Sequence, residues 1–219
     1  MTLIEALQRL ESLGTPGFET RDASALLHVP ISTASKILGR LEKGGFILPA
    51  NRGRWLLARN LNRQVLPELL AAPYPAYISL QSALYHHGLI EQIPAVIYAV
   101  TIGRPRRIQT TAGTVSLHRV PPPLFTGFEV IGKDAVKMAS AEKALFDVLY
   151  LAPGRSRLFT SLPELEIPRN FAWKELRRYA ALVKSVSRRA FLEKRIAQIK
   201  DEGTLAGSIQ DSGRPHRMR

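Results

Sequence analysis

The chain has no cysteine. That excludes disulfides, cysteine zinc sites and thiol nucleophiles together, and it fits a reducing cytoplasm. No apolar run reaches about 18 residues, so no membrane-crossing helix and no membrane partner are expected. The opening MTLIEALQRLESLG carries Glu5 and Glu11 and lacks a basic start followed by an apolar core, so it does not read as a signal peptide. No internal repeat is visible. Negative charge is scarce: 18 Asp and Glu stand against 31 Lys and Arg, a net charge of +13. Such an imbalance favours a polyanionic partner, most simply nucleic acid, and would also suit an acidic protein or an anionic surface.

Recognisable catalytic spacing is missing as well. There is no HExxH, no DxD and no Ser/His/Asp arrangement. His86 and His87 are adjacent, and neighbours on a helix point about 100° apart, so they do not share one ligand face. They read as helix-end histidines that pack or hydrogen-bond. Glu142 and Asp147 lie five residues apart on a predicted helix, hence on different faces. The basic run Gly103-Arg-Pro-Arg-Arg107 lacks the spacing of a Walker loop or a dinucleotide fingerprint. No cofactor and no metal are expected.

What is present begins with length and apolar content. At 219 residues and 45% hydrophobic, the chain can bury a core in one large or two small domains. Its organising stretch is residues 20 to 58. Thr20 opens a helical pattern with Ala23, Leu26 and Leu27 at 3.6-residue spacing. Val29 plugs a turn, and Ser32 is the expected cap of a second helix with Ala34, Ile37, Leu38 and Leu41 inside. Ser32, Thr33, Ser35, Lys36 and Arg40 are left on or near its outer face. Gly44-Gly45 ends that helix. FILP and RWLL then flank a turn at Gly53, giving a hairpin with Arg52 and Arg54 at its tip and Lys43 near its base. With an amphipathic first helix over residues 2 to 13, this is the order of a winged helix-turn-helix. In that motif the second helix enters the major groove and the wing grips phosphate. The expected DNA-binding residues are Thr20, Ser32, Thr33, Ser35, Lys36, Arg40, Arg52 and Arg54. The alternative is an ordinary helical hairpin with a solvated charged face.

The fold class expected is α+β: a winged helix-turn-helix over residues 1–72, a mixed α/β domain over 76–202, and a structureless tail over 203–219. Residues 60–72 read as a short connecting helix. The linker Ala72-Pro73-Tyr74-Pro75 marks the boundary, since two prolines a residue apart break helix and strand alike. Beyond it, Ser79 is expected to cap a short helix ending at Gly88. Strands are expected over 95–103, 114–120 and 128–132, a basic turn over 103–108, a strong helix over 137–151, and one or two helices over 171–200. Residues 159–170 read as a loop. Excess charge is concentrated at the end: residues 171–219 carry twelve basic and five acidic groups, +7 of the +13. Arg104, Arg106, Arg107, Arg177, Arg178, Arg188 and Arg189 are candidates for a second basic surface, with a merely solvated face as the alternative.

Ser79-Leu-Gln-Ser-Ala-Leu-Tyr-His-His-Gly-Leu89, followed by Ala141-Glu-Lys-Ala-Leu-Phe-Asp-Val-Leu-Tyr150, resembles the AbiEi family of antitoxins, the antitoxin halves of abortive-infection, type IV toxin–antitoxin pairs. The order of a winged helix-turn-helix, short linker and α/β domain is the family's order. The resemblance implies a non-enzymatic, cytoplasmic protein with two tasks. The N-terminal domain would bind inverted repeats in double-stranded DNA and repress its own operon. The C-terminal domain would counter a nucleotidyltransferase-like toxin. The protein would be a monomer, or self-associate weakly with help from DNA. Two other readings stand beside it: a regulator whose second domain senses a small ligand, and a DNA-targeted nuclease.

Overall fold

A computed structural model describes residues 1–59, 61–152 and 164–211. The fold is α+β, with two sheets and eight α-helices among the described residues. No described helix is long and apolar enough to cross a membrane.

Three helices and a small sheet come first. Helix α1 (Leu3–Glu11) starts on a capping box: Thr2 Oγ1 accepts from the Glu5 amide at 3.2 Å, and Glu5 Oε2 accepts from the Thr2 amide at 2.8 Å. Strand β1 (Gly17–Glu19) leads into α2 (Thr20–Leu27). Glu19, not Thr20, is the cap residue of α2. Thr20 already has helical geometry, and Asp22 accepts from the Glu19 amide at 2.7 Å. Helix α2 ends on His28 in the left-handed region (φ 54°). Helix α3 (Ile31–Lys43) begins after Pro30, whose carbonyl accepts from the Thr33 and Ala34 amides at 2.9 Å. Ser32, expected as the cap, therefore sits inside the first turn. Beyond Gly45 (φ 73°), β2 (Ile47–Asn51) and β3 (Arg54–Leu57) form the hairpin, and β1 pairs on the far side of β3. Leu10, Phe18, Ala23, Leu38, Leu41 and Ile47 close the core of this part.

A 3-10 turn (Arg63–Val65) and α4 (Leu66–Ala71) occupy the expected connecting helix. The second sheet has six strands in the order β6-β7-β5-β4-β9-β8. They are β4 (Ala76–Ile78), β5 (Ile97–Thr101), β6 (Arg106–Thr110), β7 (Gly113–Arg119), β8 (Phe128–Ile131) and β9 (Val136–Ala139). The pairs β4–β9 and β5–β7 are parallel and the others antiparallel. Helix α5 (Leu80–His86) follows β4, and α6 (Ala141–Leu151) follows β9. Then come α7 (Trp173–Ala181) and α8 (Val186–Asp211).

Three expectations change here. Residues 106–108 are not a turn but the start of edge strand β6, where the arginines blunt an open strand edge. The helix expected from 137 begins only at Ala141, because Ser140 caps it and residues 136–139 pair with β4 and β8. Helix α8 runs to Asp211, into the tail expected to lack structure; residues 212–219 lie outside the described residues, as do 60 and 153–163, which take in 159–163 of the expected loop.

The two parts share apolar surface. Ala50 and Leu56 of the hairpin pack with Leu66, Leu70 and Ala71 of α4. Those residues pack in turn on Ala76, Ala99, Val115 and Leu117 of the six-stranded sheet. The apolar pattern on each side of the prolines is therefore not complete in itself. Helix α4 is the common layer, capped from both sides. Arg54 Nη1 donates to the Leu69 carbonyl at 2.8 Å, and Arg106 Nη2 donates to the Leu70 carbonyl. These are the carbonyls a helix end leaves without intrahelical partners.

Candidate nucleic-acid interface

Helix α3 is divided cleanly between two environments. Ala34, Leu38 and Leu41 are fully buried. Ser32, Thr33, Ser35, Lys36 and Arg40 are all exposed, as is Lys43 at its end. Among the described residues Lys36 and Arg40 have no acidic partner. Arg52 stands exposed in the hairpin turn next to Gly53, whose φ of 72° a side chain would resist. These side chains lie exposed on α3 and on the hairpin turn.

Two of the expected DNA-binding residues are placed otherwise. Thr20 Oγ1 donates to the Gly53 carbonyl at 3.3 Å and accepts from Trp55 Nε1 at 3.0 Å, so it pins the hairpin turn to the start of α2. Arg54 turns inward. Besides capping α4, it pairs with Glu19 at 3.0 Å, and both side chains are less than a third exposed. The reason is the neighbour behind the hairpin: an oriented helix C-terminus and a carboxylate together outcompete solvent for a guanidinium. Arg54→Ala should therefore act on stability. We expect a loss of about 1–2 kcal/mol in urea unfolding, from an unmet carbonyl and a weakened surface pair, with an unchanged salt slope for DNA binding. A shallower slope would return Arg54 to the phosphate-contacting set.

The second group of arginines is also dispersed. Arg106 and Arg107 alternate across β6. Arg106 lies opposite Leu117, on the side of α4, and Arg107 lies opposite Ser116, on the other. Arg104, Arg177 and Arg178 are exposed, with Arg178 3.5 Å from Glu175. Arg189 is half-buried. Arg188 is built in: it donates to the Tyr150 carbonyl at 2.5 Å and lies 4.1 Å over the Tyr150 ring. His87 Nε2 donates to the Ala139 carbonyl at 2.7 Å, and the His86 ring meets it edge-on at 5.1 Å. Burial, and then His87, push the His86 imidazole below its ordinary value. No group of three metal-ligating side chains occurs among the described residues.

Sequence reasoning missed the most unusual chemistry in the chain. Lys143 and Asp147, one turn apart on α6, are both fully buried and 2.5 Å apart. Asp147 Oδ2 also accepts from Tyr77 Oη at 2.9 Å and Ser79 Oγ at 2.8 Å. The Lys143 ammonium lies 4.7 Å from the Phe146 ring centre, 5.5 Å from Tyr179 and 5.7 Å from Tyr77. Phe125 and Phe128 pack on Tyr77 from behind. Tyr179 lies against Gly127, where a Cβ would come to 2.5 Å from its oxygen. Ser79 stands at the cap position of α5 yet makes no side-chain cap bond. Leu80 follows it in the left-handed region (φ 55°), and the Ser79 hydroxyl is bonded to Asp147 instead.

Burial pushes the Asp147 carboxyl up and the Lys143 ammonium down, and each charge opposes the other's shift. Burial, and then the adjacent carboxylate, raise the Tyr77 phenol well above its usual value. With no exposed atom, the pair cannot meet a substrate. Its geometry ties α6 and α7 to β4. The available signal was the Lys–Asp spacing of four on a helix that is otherwise apolar from 144 to 151.

No protein-family model matches the chain, and no curated protein matches it.

Proposed function

We propose that the protein is a DNA-binding autorepressor of the cytoplasm. Its first part acts as a winged helix-turn-helix, and its second as an antitoxin domain that counters a nucleotidyltransferase-like toxin without being an enzyme. The observation that carries the DNA-binding half is the partition of α3. One row of side chains is fully buried, and the opposite row is small, polar and cationic, beside a hairpin with Arg52 in its turn. Small hydroxyl residues at the start of the helix allow close approach to base edges, while Lys36, Arg40 and Arg52 meet phosphate. The net charge of +13 supplies long-range attraction to any duplex. The antitoxin half rests on the resemblance of residues 79–89 and 141–150. The buried cluster uses residues from both segments: Ser79 from the first, and Lys143, Phe146 and Asp147 from the second.

The test has two arms. A combined Lys36→Ala, Arg40→Ala, Arg52→Ala variant should bind operator and random DNA more weakly alike, with a salt slope shallower by roughly three units. Ser32→Ala or Thr33→Ala should instead reduce discrimination between them, by about 1–3 kcal/mol at a lost base contact. Unchanged DNA binding by the triple variant would reject this surface. In the second arm, co-expression with the product of an adjacent nucleotidyltransferase-like gene should restore growth; failure to protect would reject the antitoxin assignment.

One observation favours a second reading, a regulator that senses a small ligand. A cavity of about 490 Å³ lies between the hairpin and the proline linker, lined by Phe18, Trp55, Leu56, Leu69 and Tyr74 among others.

A further inference from the structure

A smaller cleft, of about 280 Å³, also borders the proline linker. One wall is the linker, residues 71–74. The other is the end of β5 with the loop after it, the start of β6 and the end of β7. Three arginines, Arg104, Arg106 and Arg119, line it, and among the described residues no aspartate or glutamate does. Sheet register explains the convergence. Arg106 lies opposite Leu117, Arg119 follows Leu117 by two residues on the same face, and Thr101 lies opposite Arg119. Among the described residues Arg104 and Arg119 have no acidic partner. Arg106 keeps its bond to the Leu70 carbonyl. Tyr74 closes the wall, half exposed, with its ring laid against Gly103 so tightly that a Cβ there would come within 2.6 Å of it.

Three guanidiniums brought to one concave site repel one another, and among the described residues no carboxylate in the cleft neutralises them. An anion with several oxygens relieves that repulsion, and guanidinium forks match phosphate oxygens two at a time. Blunting of a strand edge explains arginines on β6. It does not explain Arg104 and Arg119, which lie outside that strand yet face the same space. The volume suits a diphosphate, and the exposed face of Tyr74 offers a ring for a base to stack on.

We propose that this cleft binds a small diphosphate-bearing ligand, with a nucleoside diphosphate as the form that also uses Tyr74. The same arginines also match the phosphates of bound DNA, and the experiment separates the two sources. Calorimetric titration of the full chain with inorganic pyrophosphate, and then with ADP, at matched ionic strength should give one saturable site for each. Arg104→Gln with Arg119→Gln should weaken both at least tenfold, while Arg177→Gln with Arg178→Gln leaves them unchanged. Tyr74→Ala should remove any preference for ADP over pyrophosphate. Random-duplex binding by the Arg104→Gln, Arg119→Gln variant should keep its salt slope. An unsaturable pyrophosphate titration, or equal loss in both arginine pairs, would overturn the proposal. So would a salt slope shallower by about two units in the Arg104→Gln, Arg119→Gln variant, which would assign the cleft to DNA. A thermal unfolding scan of each variant establishes that it is folded before titration.

Discussion

Lys143→Met alone should destabilise the protein by about 3–5 kcal/mol, because it leaves the carboxylate of Asp147 buried without its counter-charge. The two hydrogen bonds from Tyr77 and Ser79 remain but do not replace a cation. The loss should depend on pH with a definite sign. Without Lys143, the folded-state value of Asp147 lies above its unfolded value. The penalty is then present at neutral pH and shrinks as pH falls and the carboxyl takes up a proton. Asp147→Asn should show the reverse. It strands an ammonium against Tyr77, Phe146 and Tyr179, so its penalty should shrink as pH rises towards the lowered value of that ammonium. Combining the two substitutions removes both charges and should recover part of the loss, a non-additivity expected of residues in direct contact. Urea unfolding of the three variants across a pH series measures all of this. Parallel pH profiles for the two single variants would mean that the pair is not charged in the folded protein.

How much of this was legible in the sequence depended on how far away the deciding partner lay. The partition of α3 was legible because both rows are written in thirteen consecutive residues at helical spacing. The inward turn of Arg54 was not. An arginine on a hairpin strand faces solvent or a helix end according to what packs behind it, and α4 is brought there by contacts with the second sheet. Strand β6 was hidden by composition: Arg-Arg-Ile-Gln-Thr has only one apolar position, enough for an edge strand but not for an alternating pattern. Strand β9 was hidden by its neighbour, since Val136–Ala139 continues into the apolar run of α6 and only Ser140 marks the join. For the buried cluster the spacing was visible, yet a Lys–Asp pair four apart is usually a solvated helix pair. What buries it is Tyr77, seventy residues away in sequence, and no local pattern encodes that.

Cutting the chain at the proline linker should not yield two sound halves. A fragment of residues 76–219 lacks α4, so Ala76, Ala99, Val115 and Leu117 lose their apolar cover. The missing Val65, Leu66 and Leu70 are each less than a tenth exposed in the whole chain. At about 2 kcal/mol for each buried side chain, the deficit is on the order of 5 kcal/mol, a large part of a domain's stability. Moving the cut upstream, to residues 62–219, retains α4 on the sheet and keeps the Arg106 cap on Leu70. That fragment should unfold cooperatively with a midpoint well above that of 76–219. The complementary fragment of residues 1–61 keeps its own core of Leu10, Phe18, Ala23, Leu38, Leu41 and Ile47. It should remain helical, but with Ala50 and Leu56 newly exposed and Arg54 without the Leu69 carbonyl. Circular dichroism with urea titration of the three fragments, alongside binding of a hydrophobic dye, gives the comparison. Equal midpoints for 62–219 and 76–219 would show that α4 is only a connector, and that the proline linker is the true boundary after all.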